Sequence, residues 1–119
     1  MLKLWRRLSS KEFQEMFRGG SFFSGKYLCI NVKFDQGPAV GFTLKKQKRT
    51  AVERNLIRRR IKESFIKIQE FIPGSFQLII IGFSDAKNAS IEELSNEIFQ
   101  LVQQANRKRR KNENNAHSY

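Results

Sequence analysis

The sequence predicts an α+β fold, one sheet layered with helices in the order α-β-β-β-α-β-α. Three observations carry that prediction. A hydroxyl residue followed three positions later by glutamate, the pattern of a helix start, occurs at Ser9 and Glu12, Thr50 and Glu53, and Ser90 and Glu93. Apolar residues alternate with others through Leu28, Ile30, Val32 and Phe34, and again through Val40, Phe42 and Leu44. The run 76–83 is almost wholly apolar, as in a strand covered on both faces.

The first helix begins after Ser9, with Leu8 and Phe13 at the spacing of a hydrophobic staple. It stops at Gly19 and Gly20, where a residue free to take positive φ is expected. Residues 21–24 can form a further short strand. A strand over 26–34 turns at Asp35-Gln36-Gly37-Pro38 into a second over 39–46. The second helix spans 51–70 and ends before Pro73 and Gly74. Ile57, Ile61, Phe65, Ile68 and Ile72 form its apolar stripe, while Ala51, Asn55, Arg58, Arg59 and Lys62 fall on another side. The third helix spans 91–110, with Ile91, Leu94, Ile98, Leu101, Val102 and Ala105 inward. The basic run 107–111 at its end suits the negative pole of the helix dipole. Residues 1–111 are expected to make a single domain and 112–119 a disordered tail.

The chain of 119 residues carries 23 Lys and Arg against 11 Asp and Glu, a formal charge of +12. Such a balance is a statement about partners, and it favours nucleic acid or an anionic surface. No apolar run approaches the roughly 18 residues that span a bilayer, and the start lacks the continuous apolar stretch of a secretory signal. One cysteine, Cys29, excludes an internal disulfide and fits a reducing compartment, so a cytoplasmic protein is expected. Cys29 and the lone His117 cannot supply a zinc site, and a histidine so near the chain end is a poor base for a cysteine nucleophile. No catalytic residue and no metal site is expected in the protein.

The segment 45–62 holds nine basic residues and one acid in eighteen positions, most of them on the second helix. Glu53 is committed to the cap and Glu63 lies beyond the cluster, so the arginines have few local partners. A rigid cationic rod suits phosphates spaced along RNA. Arginine grips phosphate with a planar fork, and the neutral amide of Asn55 can read base edges or ribose hydroxyls.

Here the sequence resembles the protein subunit of bacterial ribonuclease P. Its signature is an Arg-Asn-Arg helix entered from a strand. Gly41-Phe42-Thr43-Leu44-Lys45-Lys46 followed by Ala51-Val52-Glu53-Arg54-Asn55-Leu56-Ile57-Arg58-Arg59-Arg60 is similar to it. The stretch from Arg7 to Gly20 is similar to the family's opening helix, and the order of later elements matches through about residue 105. Leu56 departs from the motif, standing where its second arginine is expected; Gln47 and Arg49 replace a lysine and a glycine.

The resemblance implies an α/β sandwich with a left-handed β-α-β crossover, against the usual preference. It implies assistance to a catalytic RNA that removes the 5′ leader from precursor tRNA, with Mg²⁺ held mainly by the RNA and no organic cofactor. The protein would be monomeric, in a 1:1 complex with ribonuclease P RNA, and would not attach to membranes. The RNA contacts it implies are Lys45, Lys46, Arg54, Asn55, Arg58, Arg59, Arg60 and Lys62. The cleft for the single-stranded leader would use Phe13, Phe17 and Thr43. The family often carries an aromatic where the register places Asn31, and Tyr27 falls on the same side of a regular strand. The alternative is a ribosomal or other structural RNA-binding protein. Reading of DNA by helix-turn-helix geometry is disfavoured because a strand, not a helix, precedes the basic helix.

Overall fold

The structure is a computed structural model that describes residues 2, 5–34, 36–45, 50–72 and 76–116, with side chains through Arg109. Its elements are β1 (Arg6–Arg7), α1 (Ser10–Gly19), β2 (Ser21–Ser24), β3 (Leu28–Lys33), β4 (Ala39–Leu44), α2 (Ala51–Ile68), β5 (Gln77–Gly82) and α3 (Ile91–Ala116). Short 3-10 turns follow α2 at Gln69–Phe71 and precede α3 at Ser84–Asn88. The strands make one five-stranded mixed sheet in the order β1-β4-β5-β3-β2. β4 is parallel to β1 and β5, while β3 is antiparallel to β2 and β5.

The alternation seen in the sequence sorts the sheet's two faces. Leu28, Ile30, Val32, Val40, Leu78 and Ile80 join Ile57, Ile61, Phe65, Leu94 and Ile98 in the main core beneath α2 and α3. Ile79 and Ile81 face the other way and pack with Met16 of α1. The strand 76–83 is apolar throughout because β5 is central and both of its faces are covered.

β4, α2 and β5 form a parallel crossover, and its hand follows from the geometry. Thr43 shares a groove with Phe17 of α1 and so faces α1. Ala39 and Lys45, of the same parity, donate their N–H groups to Phe76 and Gly82 on the β5 side. For L-residues this puts β5 to the left of β4 when viewed from α2 with the strands pointing up. The crossover is therefore left-handed, the rare hand.

Two of the three expected capping boxes are complete. Ser9 and Glu12 exchange both bonds at α1, as do Ser90 and Glu93 at α3. At α2 the Thr50 hydroxyl accepts from the Glu53 N–H at 3.1 Å.

Three points differ from the expectations. β1 is a strand absent from the reading, since two residues are too few to show a pattern. Gly20 has φ −82°, so the first helix does not end in a left-handed residue. A glycine is needed there because a Cβ would stand 1.8 Å from Asn31 Oδ1 and 2.8 Å from the Met16 carbonyl. Positive φ falls instead at Gly37, in the turn before β4. Finally, α3 continues to Ala116, past the expected end at 110 and into the expected tail. No glycine or proline interrupts 107–116, and its lysines and arginines are good helix formers. Residues 117–119, including His117, lie outside the described residues.

Candidate RNA interface

α2 turns its apolar stripe inward: Ile57, Ile61 and Phe65 are fully buried. By helical periodicity the opposite side must face solvent, and Arg54, Asn55, Arg58 and Arg59 are exposed. Among the described residues Arg6 pairs with Glu12 and Lys67 with Glu92, while these three arginines carry no ion pair. Leu56 is 41% exposed on the same rod, presenting an apolar side chain where the motif has a cation.

Arg60 does not belong to this face. Its guanidinium donates to the carbonyl of Ala89, in the segment leading into α3, and its Nε is buried without a partner among the described residues. It ties α2 to that loop. Lys46 lies outside the described residues. Lys45 leaves the helix face too: its ammonium sits 5.4 Å from the Phe83 ring centroid, at the mouth of a groove on the α1 face.

That groove, about 540 Å³, is lined by Phe17, Phe22, Ser24, Cys29, Thr43, Leu44, Lys45, Ile81 and Phe83. Phe17 and Phe22 are 47% and 53% exposed, unusual for rings of this size, and their centroids are 6.3 Å apart. Phe13 continues the row at 6.1 Å from Phe17. Phe13 is partly buried with Met16, Ile79 and Ile81, and it packs so closely over Gly41 that a Cβ there would meet its ring at 2.2 Å. It therefore serves packing first, with an edge left accessible. Burial pushes the Cys29 thiol up, opposed by Lys45.

A second recess of about 230 Å³ wraps the edge of β4, where β1 ends after two residues. Arg7, Arg58 and Lys62 meet Phe13 and Phe42 there. The cationic face of α2 and the aromatic row of α1 are thus joined around one strand edge.

Two expected cleft residues stand elsewhere. Asn31 is fully buried beneath the end of α1, with Nδ2 donating to the Met16 carbonyl at 2.9 Å. The bare Cα of Gly20 lets the two segments come that close. Tyr27 precedes the regular strand, so its parity with Asn31 does not hold. Its hydroxyl donates to Glu93 of α3 at 3.1 Å, on the opposite side of the sheet. The Glu97 carboxylate fixes this bend by accepting from the N–H groups of Lys26, Tyr27 and Leu28 at 2.6, 2.8 and 3.0 Å. Phe22 and Arg7 were missed in the sequence. Phe22 pairs directly with Asn31 across β2 and β3, a register that local patterning cannot supply.

Glu12 anchors the start of α1 against the sheet. It accepts from Arg6 Nη1 at 2.8 Å, from the Ser9 N–H at 2.9 Å and from Gln77 Nε2 at 2.8 Å. Arg6 above all, then the Ser9 N–H, hold its carboxyl down at about 2.

The family model for ribonuclease P matches residues 1–106. The chain belongs to the ribonuclease P protein family. A ribonuclease P protein component of Clostridioides difficile is 29% identical over 94 residues, covering 76% of this chain and 82% of that protein. One from Listeria welshimeri is 27% identical over 105 residues, covering 86% and 88%. Among solved structures, the Thermotoga maritima ribonuclease P protein superposes with a TM-score of 0.71 at 19% identity, covering 83% of this chain and 96% of that one. The Staphylococcus aureus protein gives 0.67 at 22%, covering 87% and 96%. This chain is thus a ribonuclease P protein subunit that assists 5′ maturation of tRNA, with ribonuclease P RNA as its partner. The ribonucleoprotein endonuclease acts through its RNA. No helix among the described residues is long and apolar enough to cross a membrane.

Proposed function

We propose that the outer face of α2 holds ribonuclease P RNA through Arg54, Asn55, Arg58 and Arg59, while the aromatic groove takes the single-stranded leader of precursor tRNA. The observation that carries this reading is the set of exposed arginines on α2 that have no carboxylate partner among the described residues. Uncompensated charge on a rigid element is relieved when phosphate displaces its counterions. Stacking on rings such as Phe17 and Phe22 tolerates any base, which suits a cofactor that meets many different leaders. Arg58 and Lys62, in the recess shared with Phe13, lie where a strand would pass from the groove to α2.

In this reading the protein binds and orients, and Mg²⁺-assisted phosphodiester hydrolysis belongs to the RNA. The described residues gather no group of three His, Cys, Asp or Glu that would fit a metal ion, so no step is assigned to a protein-held metal. The working form is a single RNA-binding domain over 1–111, one copy per RNA, acting in the cytoplasm. The test is a comparison of ligands. With the RNA present, adding the protein should tighten binding of precursor tRNA and leave mature tRNA unaffected. Phe17→Ala should remove most of the difference. Equal tightening of both ligands would contradict the groove's assignment.

A further inference from the structure

The basic run 107–111 takes no part in the interface above, and the family match ends just before it. The helix dipole does not explain it either. α3 runs on to Ala116, and its last turn holds no basic residue, whereas dipole stabilisation is confined to that turn. From Ile98 to Asn112 the sequence contains no acid. Arg107, Lys108 and Arg109 are exposed, and neither described ion pair involves Arg107 or Lys108. Lys108 Nζ lies 5.6 Å from the Phe23 ring centroid and the Arg109 guanidinium 4.7 Å from that of Phe34. A ring face steadies the Lys108 cation without using its N–H donors, so that head remains able to bind phosphate.

The position is as telling as the charge. α3 starts over the Leu28 end of β3, where Glu97 holds the chain, and reaches Phe34, beyond the other end of that strand, at Arg109. α2 has the reverse placement for its cations. Ile57, between Arg54 and Arg58, lies against Gly82, which pairs with both Leu28 and Leu44. Going from one basic segment to the other crosses one strand spacing and about six residues of strand length, roughly 20 Å. The two basic segments are therefore separate surfaces of the molecule.

We propose that the exposed cations of α3 around Arg107 form a second RNA site, which grips the phosphates of an RNA segment distinct from the one on α2. The subunit then bridges two parts of its folded RNA partner. The test uses the full chain and ribonuclease P RNA. Combining Arg107→Gln, Lys108→Gln and Arg109→Gln should lower the log–log salt slope of binding by about 2, and so reduce the affinity loss over a fourfold salt rise by roughly 16-fold. The charge-preserving set Arg107→Lys, Lys108→Arg and Arg109→Lys should restore the slope. Hydroxyl-radical footprinting should show one protected RNA patch lost, different from the patch lost with Arg58→Ala and Arg59→Ala. An unchanged slope with the glutamine set overturns the proposal, as does failure of the charge-preserving set to restore it. If the α2 variant leaves slope and footprint intact while the α3 variant alters both, the α2 assignment falls and this one stands.

Discussion

Replacing Arg58 and Arg59 together by Ala, beside Arg60→Ala alone, separates three arginines that look alike in the sequence. Arg58 and Arg59 are exposed and without ion pairs among the described residues, whereas Arg60 donates to Ala89, itself only 1% exposed. Each phosphate neutralised contributes about 0.7–0.9 to the salt slope, so the double variant should lose about 1.4–1.8 of slope. Over a fourfold rise in salt, the unmodified protein should then lose about 7–12 times more affinity than the variant. Arg60→Ala should leave the slope alone and lower stability by about 1–3 kcal/mol, because a buried carbonyl loses its donor. The assay is RNA binding at five or more salt concentrations, paired with urea unfolding of each variant. The reasoning is refuted if the double variant keeps the original slope. It is refuted equally if Arg60→Ala flattens the slope without touching stability.

Three further outcomes follow from the geometry. Phe22→Ser should weaken precursor tRNA binding by about 1–3 kcal/mol with little change for mature tRNA, as expected for one lost stacking ring; equal loss for both ligands would remove Phe22 from the groove's function. Gly20→Ala should destabilise the fold by about 1–3 kcal/mol in urea, because the new methyl displaces buried Asn31 from the Met16 carbonyl; an unchanged midpoint would contradict the close approach. The Glu12 carboxyl lies at about 2 in the fold, below its ordinary 4.5. Its stabilising contribution is therefore complete above pH 4.5 and lost as pH falls toward 2. An unscreened shift of that size corresponds to about 3 kcal/mol, and the solvent exposure of Arg6 reduces the expected value to about 1–2 kcal/mol. Glu12→Gln should remove that part of the acid dependence, and an identical pH profile would contradict it.

Local chemistry was legible in the sequence and long-range direction was not. Ser9 with Glu12, and Ser90 with Glu93, announce helix starts because cap and partner lie three residues apart. The stripe from Ile57 to Phe65 shows which side of α2 is buried, and hence that Arg54, Arg58 and Arg59 point outward. Arg60 sits at the margin of that stripe, and its direction is decided by a carbonyl 29 residues away. Tyr27 leaves the alternation because Glu97, 70 residues on, bends the chain just ahead of β3. Asn31 is buried by Gly20, and Phe22 reaches the groove only through the β2–β3 register. Each of these depends on contacts that no window of neighbouring residues contains. The left-handed crossover is of the same kind: hydropathy reads which residues are covered, but not from which side the chain returns.

Single-turnover cleavage of precursor tRNA at low Mg²⁺ tests most directly the division of labour between a cationic, aromatic protein surface and a catalytic RNA. RNA alone should cleave slowly, protein alone should cleave nothing, and the two together should cleave faster, with the gain diminished by Arg58→Ala and Arg59→Ala. Cleavage by the protein without RNA, or no gain at any magnesium and salt concentration tried, would contradict the account.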